Sequence, residues 1–187
     1  MKGYKYMTQI AVFVGSLRED SLNKKLAKSL ETLAPEGTVF TYVDISVLPL
    51  FNQDVEATNY PVEAQTIKDI VKAADGVLFV TPEYNRGIPG VLKNAIDWVS
   101  RPWGTNSFDG KPAGIVGASG STLGTALAQA QLRNVMLYLN TKLLGQPEVY
   151  IASAHEMFDE EGILIDSSTE FLKKYIDTFI AHVENQK

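Results

Sequence analysis

The stretch Gly76-Val-Leu-Phe-Val-Thr81-Pro-Glu-Tyr-Asn-Arg-Gly-Ile-Pro-Gly90-Val-Leu-Lys-Asn-Ala-Ile-Asp-Trp98 decides the fold. Gly76–Thr81 carries no charge, the pattern of a strand buried on both faces, as in a parallel sheet. Pro82 then removes a ladder donor and ends the strand. Gly87, Pro89 and Gly90 keep the following residues out of regular structure, and Pro89 suits the first turn of a helix. From there Leu92, Ala95, Ile96 and Val99 recur at helical spacing. The chain therefore runs strand, rigid loop, helix. Glu83, Tyr84 and Asn85 stand at the carboxyl end of a central strand, where open α/β sheets bind ligands.

A second unit of the same kind precedes it. Gln9–Gly15 is apolar and predicts a central strand that runs straight into Gly15-Ser-Leu-Arg-Glu-Asp-Ser-Leu-Asn23 and a helix. Leu22, Leu26, Leu30 and Leu33 line one face of that helix, with Lys24, Lys25, Lys28 and Glu31 toward water. Asp20 or Ser21 is the expected N-cap. A helix start presents free N–H groups and a positive dipole end, which together bind phosphate. Ser16 and Ser21 add hydroxyls, and Arg18 adds a fork suited to phosphate oxygens. The loop is neither a Walker P-loop nor G-x-G-x-x-G, which argues against ATP and classical dinucleotides. Taken alone, it is served equally well by helix capping, with Arg18 as a solvated charge. Beside the Tyr84 segment, the phosphate reading is preferred.

A third unit begins at Pro112–Ala118, again uncharged, and continues into Ser119-Gly120-Ser-Thr-Leu-Gly124. Small residues there let backbone approach a flat ligand closely; the alternative is a glycine turn with Thr122 as a cap. Elsewhere, Val39–Asp44 and Gln146–Ile151 are expected strands, and Leu48–Asp54 an irregular connection. Pro61 opens a helix with a stripe of Ile67, Ile70, Val71 and Ala74, closed by a left-handed cap at Asp75-Gly76. Arg101–Lys111 reads as a surface loop, and Thr169–Glu184 as a terminal helix burying Leu172, Tyr175, Ile176, Phe179, Ile180 and Val183. The helix from Thr122 to about Asn140 carries two apolar stripes, Leu123/Ala126/Leu127/Ala130 and Ala128/Leu132/Val135/Leu139. One packs on the sheet. The other needs a second cover, for which a partner subunit or another part of the chain would serve, and Leu132 and Leu139 are expected on it.

Five strands alternating with helices predict a three-layer α/β architecture, read as one domain over residues 1–187 with 1–6 as a short extension. The net charge of −5 and the absence of any Lys/Arg block argue against nucleic acid binding. With no cysteine and only His155 and His182, neither thiolate nor histidine-based metal sites are expected. No apolar run reaches the length of a membrane span and no secretory signal pattern is present, so the expected compartment is the cytoplasm.

Thr81–Trp98 resembles the P-E-Y-N-x-G-x-P-G-x-L-K-N-A-I-D-W segment of the NADPH-dependent FMN reductase family, which includes bacterial quinone, chromate and azo-dye reductases. Gly15, Ser16, Arg18, Ser21 and Asn23 match its G-S-x-R-x-x-S-x-N phosphate loop, and Leu48–Asp54 its L-P-L-[FY]-N-x-D stretch. The resemblance covers nearly the whole chain and implies a flavodoxin-like, doubly wound, five-stranded parallel sheet of order 2-1-3-4-5. It implies FMN phosphate on Ser16, Arg18, Ser21, Leu22 and Asn23, and the flavin ring on Pro82, Glu83, Tyr84, Asn85, Ser119 and Gly120. Asn85 would help read the polar edge of the ring. NADPH or NADH would be the co-substrate, in a ping-pong transfer to quinones, azo dyes, flavins or metal oxyanions such as chromate. The cofactor carries such chemistry, so no protein acid, base or nucleophile is obligatory; Glu83 is read as a structural carboxylate and Trp98 as core. The other functional classes are an electron carrier of flavodoxin type without its own NAD(P)H activity, and a non-enzymatic flavin-binding module. Tyr84 is the only aromatic residue in the central loop and Ser119–Gly124 has none, which leaves one ring face open and favours the reductase.

Overall fold

The computed structural model describes residues 7–159 and 163–187; the expected N-terminal extension lies outside the described residues. Strands β1 (Thr8–Val14), β2 (Thr38–Tyr42), β3 (Gly76–Val80) and β4 (Pro112–Ala118) alternate with helices α1 (Leu22–Leu33), α2 (Gln53–Thr58), α3 (Val62–Ala73) and α4 (Gly90–Val99). The chain continues through α5 (Ala126–Tyr138), the short strands β5 (Lys142–Leu143) and β6 (Tyr150–Ile151), and α6 (Asp166–Glu184). The sheet is parallel in the order β2-β1-β3-β4-β5, with β6 also on β4. This is the flavodoxin-like order.

Helices cover both faces because the central strands alternate two apolar sets. Ile10, Val12, Leu78, Val80 and Val116 pack with Leu26 and Leu30 of α1 and with Leu172, Tyr175, Ile176 and Phe179 of α6. Ala11, Phe13, Val77, Phe79 and Ile115 point the other way, toward Ile67 and Val71 of α3, Leu92 and Ile96 of α4, and Leu132 and Met136 of α5. With both faces closed, only the strand ends are free to carry loops that bind ligands.

Several expectations require correction. The fifth strand is not continuous over Gln146–Ile151: β5 pairs with Pro112–Ala113 and β6 with Gly117–Ala118, giving six strands in five positions. Pro147 lies between the two pieces and has no N–H to give a ladder. Leu48–Asp54 is not wholly irregular, since Asn52 caps α2 through Asp54 N–H at 2.8 Å. Gly76 is not a left-handed cap; it is the first residue of β3. A Cβ there would lie 2.6 Å from Val183, so glycine is needed for the close approach of α6. The helix after Gly124 starts at Ala126, not Thr122. Its stripes are also exchanged: Leu132 and Leu139 lie in the protein's own core, while Leu127, Leu137 and Tyr138 face outward.

Two motif stretches explain each other. The Pro49 carbonyl accepts from Trp98 Nε1 at 2.7 Å and Asn94 Nδ2 at 2.9 Å, and Asn94 Oδ1 accepts from Phe51 N–H at 2.7 Å. The Phe51 ring meets the Trp98 indole edge-on at 4.9 Å. Trp98 is thus core, as read from the sequence, and it fastens the connection after β2 to α4.

The periodicity of α3 does not reveal Lys68, which is 1 % exposed. Its ammonium donates to the Arg101 carbonyl and, at 2.9 Å each, to the carbonyl and hydroxyl of Thr105. Burial pulls its pKa down to about 8, so at neutral pH it remains the ammonium that three acceptors require. Together with the Arg101–Glu56 ion pair at 2.7 Å, it holds the segment after α4. Lys68→Met would leave those acceptors unpaired in a dry setting, where each such loss costs about 1–3 kcal/mol. Equilibrium denaturation should show a loss of at least ~2 kcal/mol, and an unchanged midpoint would refute the role.

Candidate functional site

The first wall of the site is the turn from β1 into α1. Gly15 N–H donates to the Val80 carbonyl at 2.8 Å, which fixes the turn against β3. Ser21 is the N-cap, its Oγ accepting from Lys24 N–H at 3.3 Å. Helix geometry leaves the N–H groups of Leu22 and Asn23 without intrahelical acceptors, at the positive end of the dipole. Ser16 and Ser21 are buried beside them, while Arg18 is exposed. Asp20, a carboxylate of the loop, is turned to Lys25 at 2.5 Å, and that ammonium holds its pKa below the usual range. Asn23 does something the sequence did not reveal. Its Nδ2 donates to the Ala118 carbonyl at 2.8 Å, and its Oδ1 accepts from Ala118 N–H at 3.0 Å. The side-chain amide therefore ties α1 to the end of β4.

The second wall follows β3. Tyr84 and Gly87 exchange backbone hydrogen bonds of 3.2 and 3.0 Å around Asn85 and Arg86, whose φ angles are 50° and 64°. Two successive left-handed residues make a type I′ turn. Glu83 Oε2 accepts from Leu127 and Ala128 N–H, both at 3.0 Å, and so caps α5 from 44 residues away. Glu83 is a structural carboxylate, and its partners were unreadable because α5 is remote in sequence. Gln131 was missed for the same reason. Its Nε2 donates to the Arg86 carbonyl at 3.1 Å, and its Oε1 accepts from Ile88 N–H at 3.4 Å.

The third wall follows β4. Ser119 Oγ donates to the Gly124 carbonyl at 2.8 Å and folds the turn back on itself. Gly124 adopts φ +61°, and a Cβ there would stand 2.9 Å from the Tyr150 backbone. At Gly120 the wall is bare backbone; an added Cβ would meet only His155 Nδ1, at 4.0 Å.

These walls enclose one cleft of about 260 Å³ at the carboxyl edge of the sheet. Ser16, Arg18, Ser21, Leu22, Asn23, Pro82, Glu83, Tyr84, Ser119 and Gly120 all line it, with Ala118 and Ser121. Asn85 does not; its position in the turn carries it to the exposed tip. Leu48–Asp54 also stays outside, packed on α4. Among the described residues Tyr84 is the only aromatic one that lines the cleft. A larger cavity of about 580 Å³ lies around the C-terminal end of α4, lined by Arg101, Trp103 and Tyr138 among others, and holds none of the expected site residues.

Residues 8–156 match the family model described as NADPH-dependent FMN reductase. The chain belongs to that family. It is 47 % identical over 180 residues to a 2-hydroxy-1,4-benzoquinone reductase from Burkholderia sp, covering 96 % of this chain and 98 % of the relative. It is 45 % identical over 158 residues to an NAD(P)H-dependent FMN reductase from Pseudomonas aeruginosa, covering 84 % and 85 %. Among solved structures, FerB, a flavoenzyme NAD(P)H:(acceptor) oxidoreductase from Paracoccus denitrificans, superposes with a TM-score of 0.90 at 43 % identity, covering 96 % and 99 %.

FMN, the cofactor in the family's description, fits the cleft on two observations. Anion donors converge at one end, and bare backbone with a single aromatic side chain lines the other. In this reductase, Arg18→Ala should remove charge-assisted bonds worth about 1.5–3 kcal/mol. FMN binding should weaken at least about tenfold, while riboflavin binding stays nearly constant. Fluorescence titration with both flavins measures this; equal FMN affinity in the variant would overturn the assignment of the loop.

Proposed function

We propose that this chain acts as one FMN-binding reductase domain whose acceptors are quinones. The observation that carries this reading is the single cleft in which phosphate donors and a backbone-lined slot meet at the carboxyl edge of the sheet. FMN, when bound, supplies hydride acceptance from NAD(P)H and two-electron delivery to a second substrate. The protein's own residues bind and orient. Ser16, Arg18, Ser21 and the N–H groups of Leu22 and Asn23 would hold the phosphate, and Pro82–Tyr84 with Ser119 and Gly120 the ring.

The same residues leave one side of the slot uncovered. Among the described residues no second aromatic lines the cleft opposite Tyr84, so a flat nicotinamide, then a flat quinone, can stack in turn at that face. Azo dyes, free flavins and chromate would have to use the same opening. A carrier that only relays electrons would be served by aromatic cover on both sides; the relatives at 47 % and 45 % identity bear reductase names, and the carrier reading is set aside. The consumption of NAD(P)H, an intracellular coenzyme, supports a cytoplasmic location.

Anaerobic stopped-flow with NADPH and NADH, followed by mixing with a benzoquinone, tests the reading. Rapid bleaching of the yellow protein, reoxidation by quinone, and parallel lines in double-reciprocal plots are the expected results. Absence of bleaching with both coenzymes would return the case to the electron carrier.

A homo-oligomer through α5 is the companion proposal. Leu127, Leu137 and Tyr138 lie along its outer face at 47 %, 64 % and 74 % exposure, with Trp103 nearby at 78 %. Such an apolar face is a natural cover for a second copy. Leu127→Glu should shift the mass measured by light scattering toward monomer, and a monomeric unmodified protein would remove the proposal.

A further inference from the structure

We propose that the Arg86 guanidinium binds the diphosphate bridge of NAD(P)H, an inference that rests on the reductase reading above. Arg86 sits two residues beyond Tyr84, in the exposed turn after β3, and its Nη1 lies 3.6 Å from Glu83; both Tyr84 and Glu83 line the cleft. Its φ of 64° is a conformation glycine adopts freely and a long side chain does not, and this place in a type I′ turn is one where glycine is preferred.

The turn is also rigid. Gln131 holds the Arg86 carbonyl at 3.1 Å and Ile88 N–H at 3.4 Å. It lies so close that a Cβ on Gly87 would stand 3.1 Å from its Oε1. The backbone is thus fixed from α5 while the side chain projects outward, 61 % exposed.

Its charge is only partly engaged by a neighbour, in an ion pair with Glu83. Glu83 Oε1 lies 3.6 Å from Arg86 Nη1, beyond hydrogen-bond distance. The Glu83 side chain is 7 % exposed and directs its other oxygen to two N–H groups at the start of α5. That carboxylate is also set against a helix N-terminus, and the guanidinium, paired with it through one nitrogen, stays open to an external anion on its exposed side. Its planar fork matches paired phosphate oxygens. In NAD(P)H the diphosphate is one ribose from the nicotinamide and the 2′-phosphate of NADPH lies beyond it on the adenosine ribose, so a ring stacked beside Tyr84 would bring the diphosphate, before the 2′-phosphate, within reach of a side chain two residues on. The protein carries a net charge of −5 and would repel the coenzyme; a cation beside the cleft-lining Glu83 counters this locally.

The test compares Arg86→Gly and Arg86→Lys with the unmodified, FMN-loaded protein. Calorimetric titration with NAD⁺ and NADP⁺ gives affinities, steady-state kinetics give KM for NADH and NADPH, and thermal denaturation gives Tm. Arg86→Gly should weaken both coenzymes about tenfold, equivalent to ~1.4 kcal/mol, with Tm equal or raised because glycine suits the turn. Arg86→Lys, with charge but no fork, should fall between. Inorganic pyrophosphate should compete with NADPH in the unmodified protein and not in Arg86→Gly. Undiminished affinity in Arg86→Gly would overturn the proposal. So would weakening confined to NADP⁺, which would assign the residue to the 2′-phosphate. A lowered Tm in step with lost affinity would make Arg86 a structural residue and equally overturn it. Failure of the unmodified protein to react with either coenzyme would instead defeat the reductase reading itself.

Discussion

The structure depends on burial of β1, β3 and β4 on both faces. Ile10, Ala11, Val12, Phe13, Val77, Leu78, Phe79 and Val80 are all fully buried, so helices must cover each side and polar groups can gather only at the strand ends. A parallel sheet closed in this way has one functional edge, where the loops leaving neighbouring strands converge. The cleft is a consequence of that constraint, and its three walls follow β1, β3 and β4 in turn.

What turns three neighbouring loops into one site is a small set of cross-links between distant parts of the chain. Gly15 N–H on the Val80 carbonyl joins the first wall to the second. The Asn23 amide on Ala118 joins the first to the third. Glu83 joins the second to α5, which continues from the third. Each link uses a buried or half-buried polar group whose partner is backbone, so that losing it would strand a donor or acceptor. Walls held in this way suit the proposed reaction, in which two substrates would visit the same face in succession, because the slot need not be rebuilt between them.

The family motif around Tyr84 divides into parts with different work. Glu83 caps a helix, Lys93 pairs with Asp97 one turn on at 2.6 Å, and Asn94 and Trp98 anchor the connection after β2. Only Pro82, Glu83 and Tyr84 of that segment line the cleft. Much of a motif that signals a binding site is thus occupied in holding the scaffold.

The sequence by itself determined the fold class, the strand-loop-helix units and the residues of the three loops. Uncharged strands, helical stripes and Pro/Gly punctuation are local signals, written in consecutive residues. Ser16, Arg18, Ser21, Tyr84 and Gly120 were legible as cleft-lining candidates because each stands in the loop that leaves such a strand. The tertiary structure decided everything that depends on a partner far along the chain: the Asn23 link, the Glu83 cap, the Gln131 clamp and the burial of Lys68. It also decided which stripe of α5 faces the sheet. The two stripes are similarly apolar, so their periodicity cannot distinguish them. The choice was made when Leu132, Met136 and Leu139 found Phe79, Ile115 and their neighbours on the sheet face, which left Leu127 and Tyr138 outside.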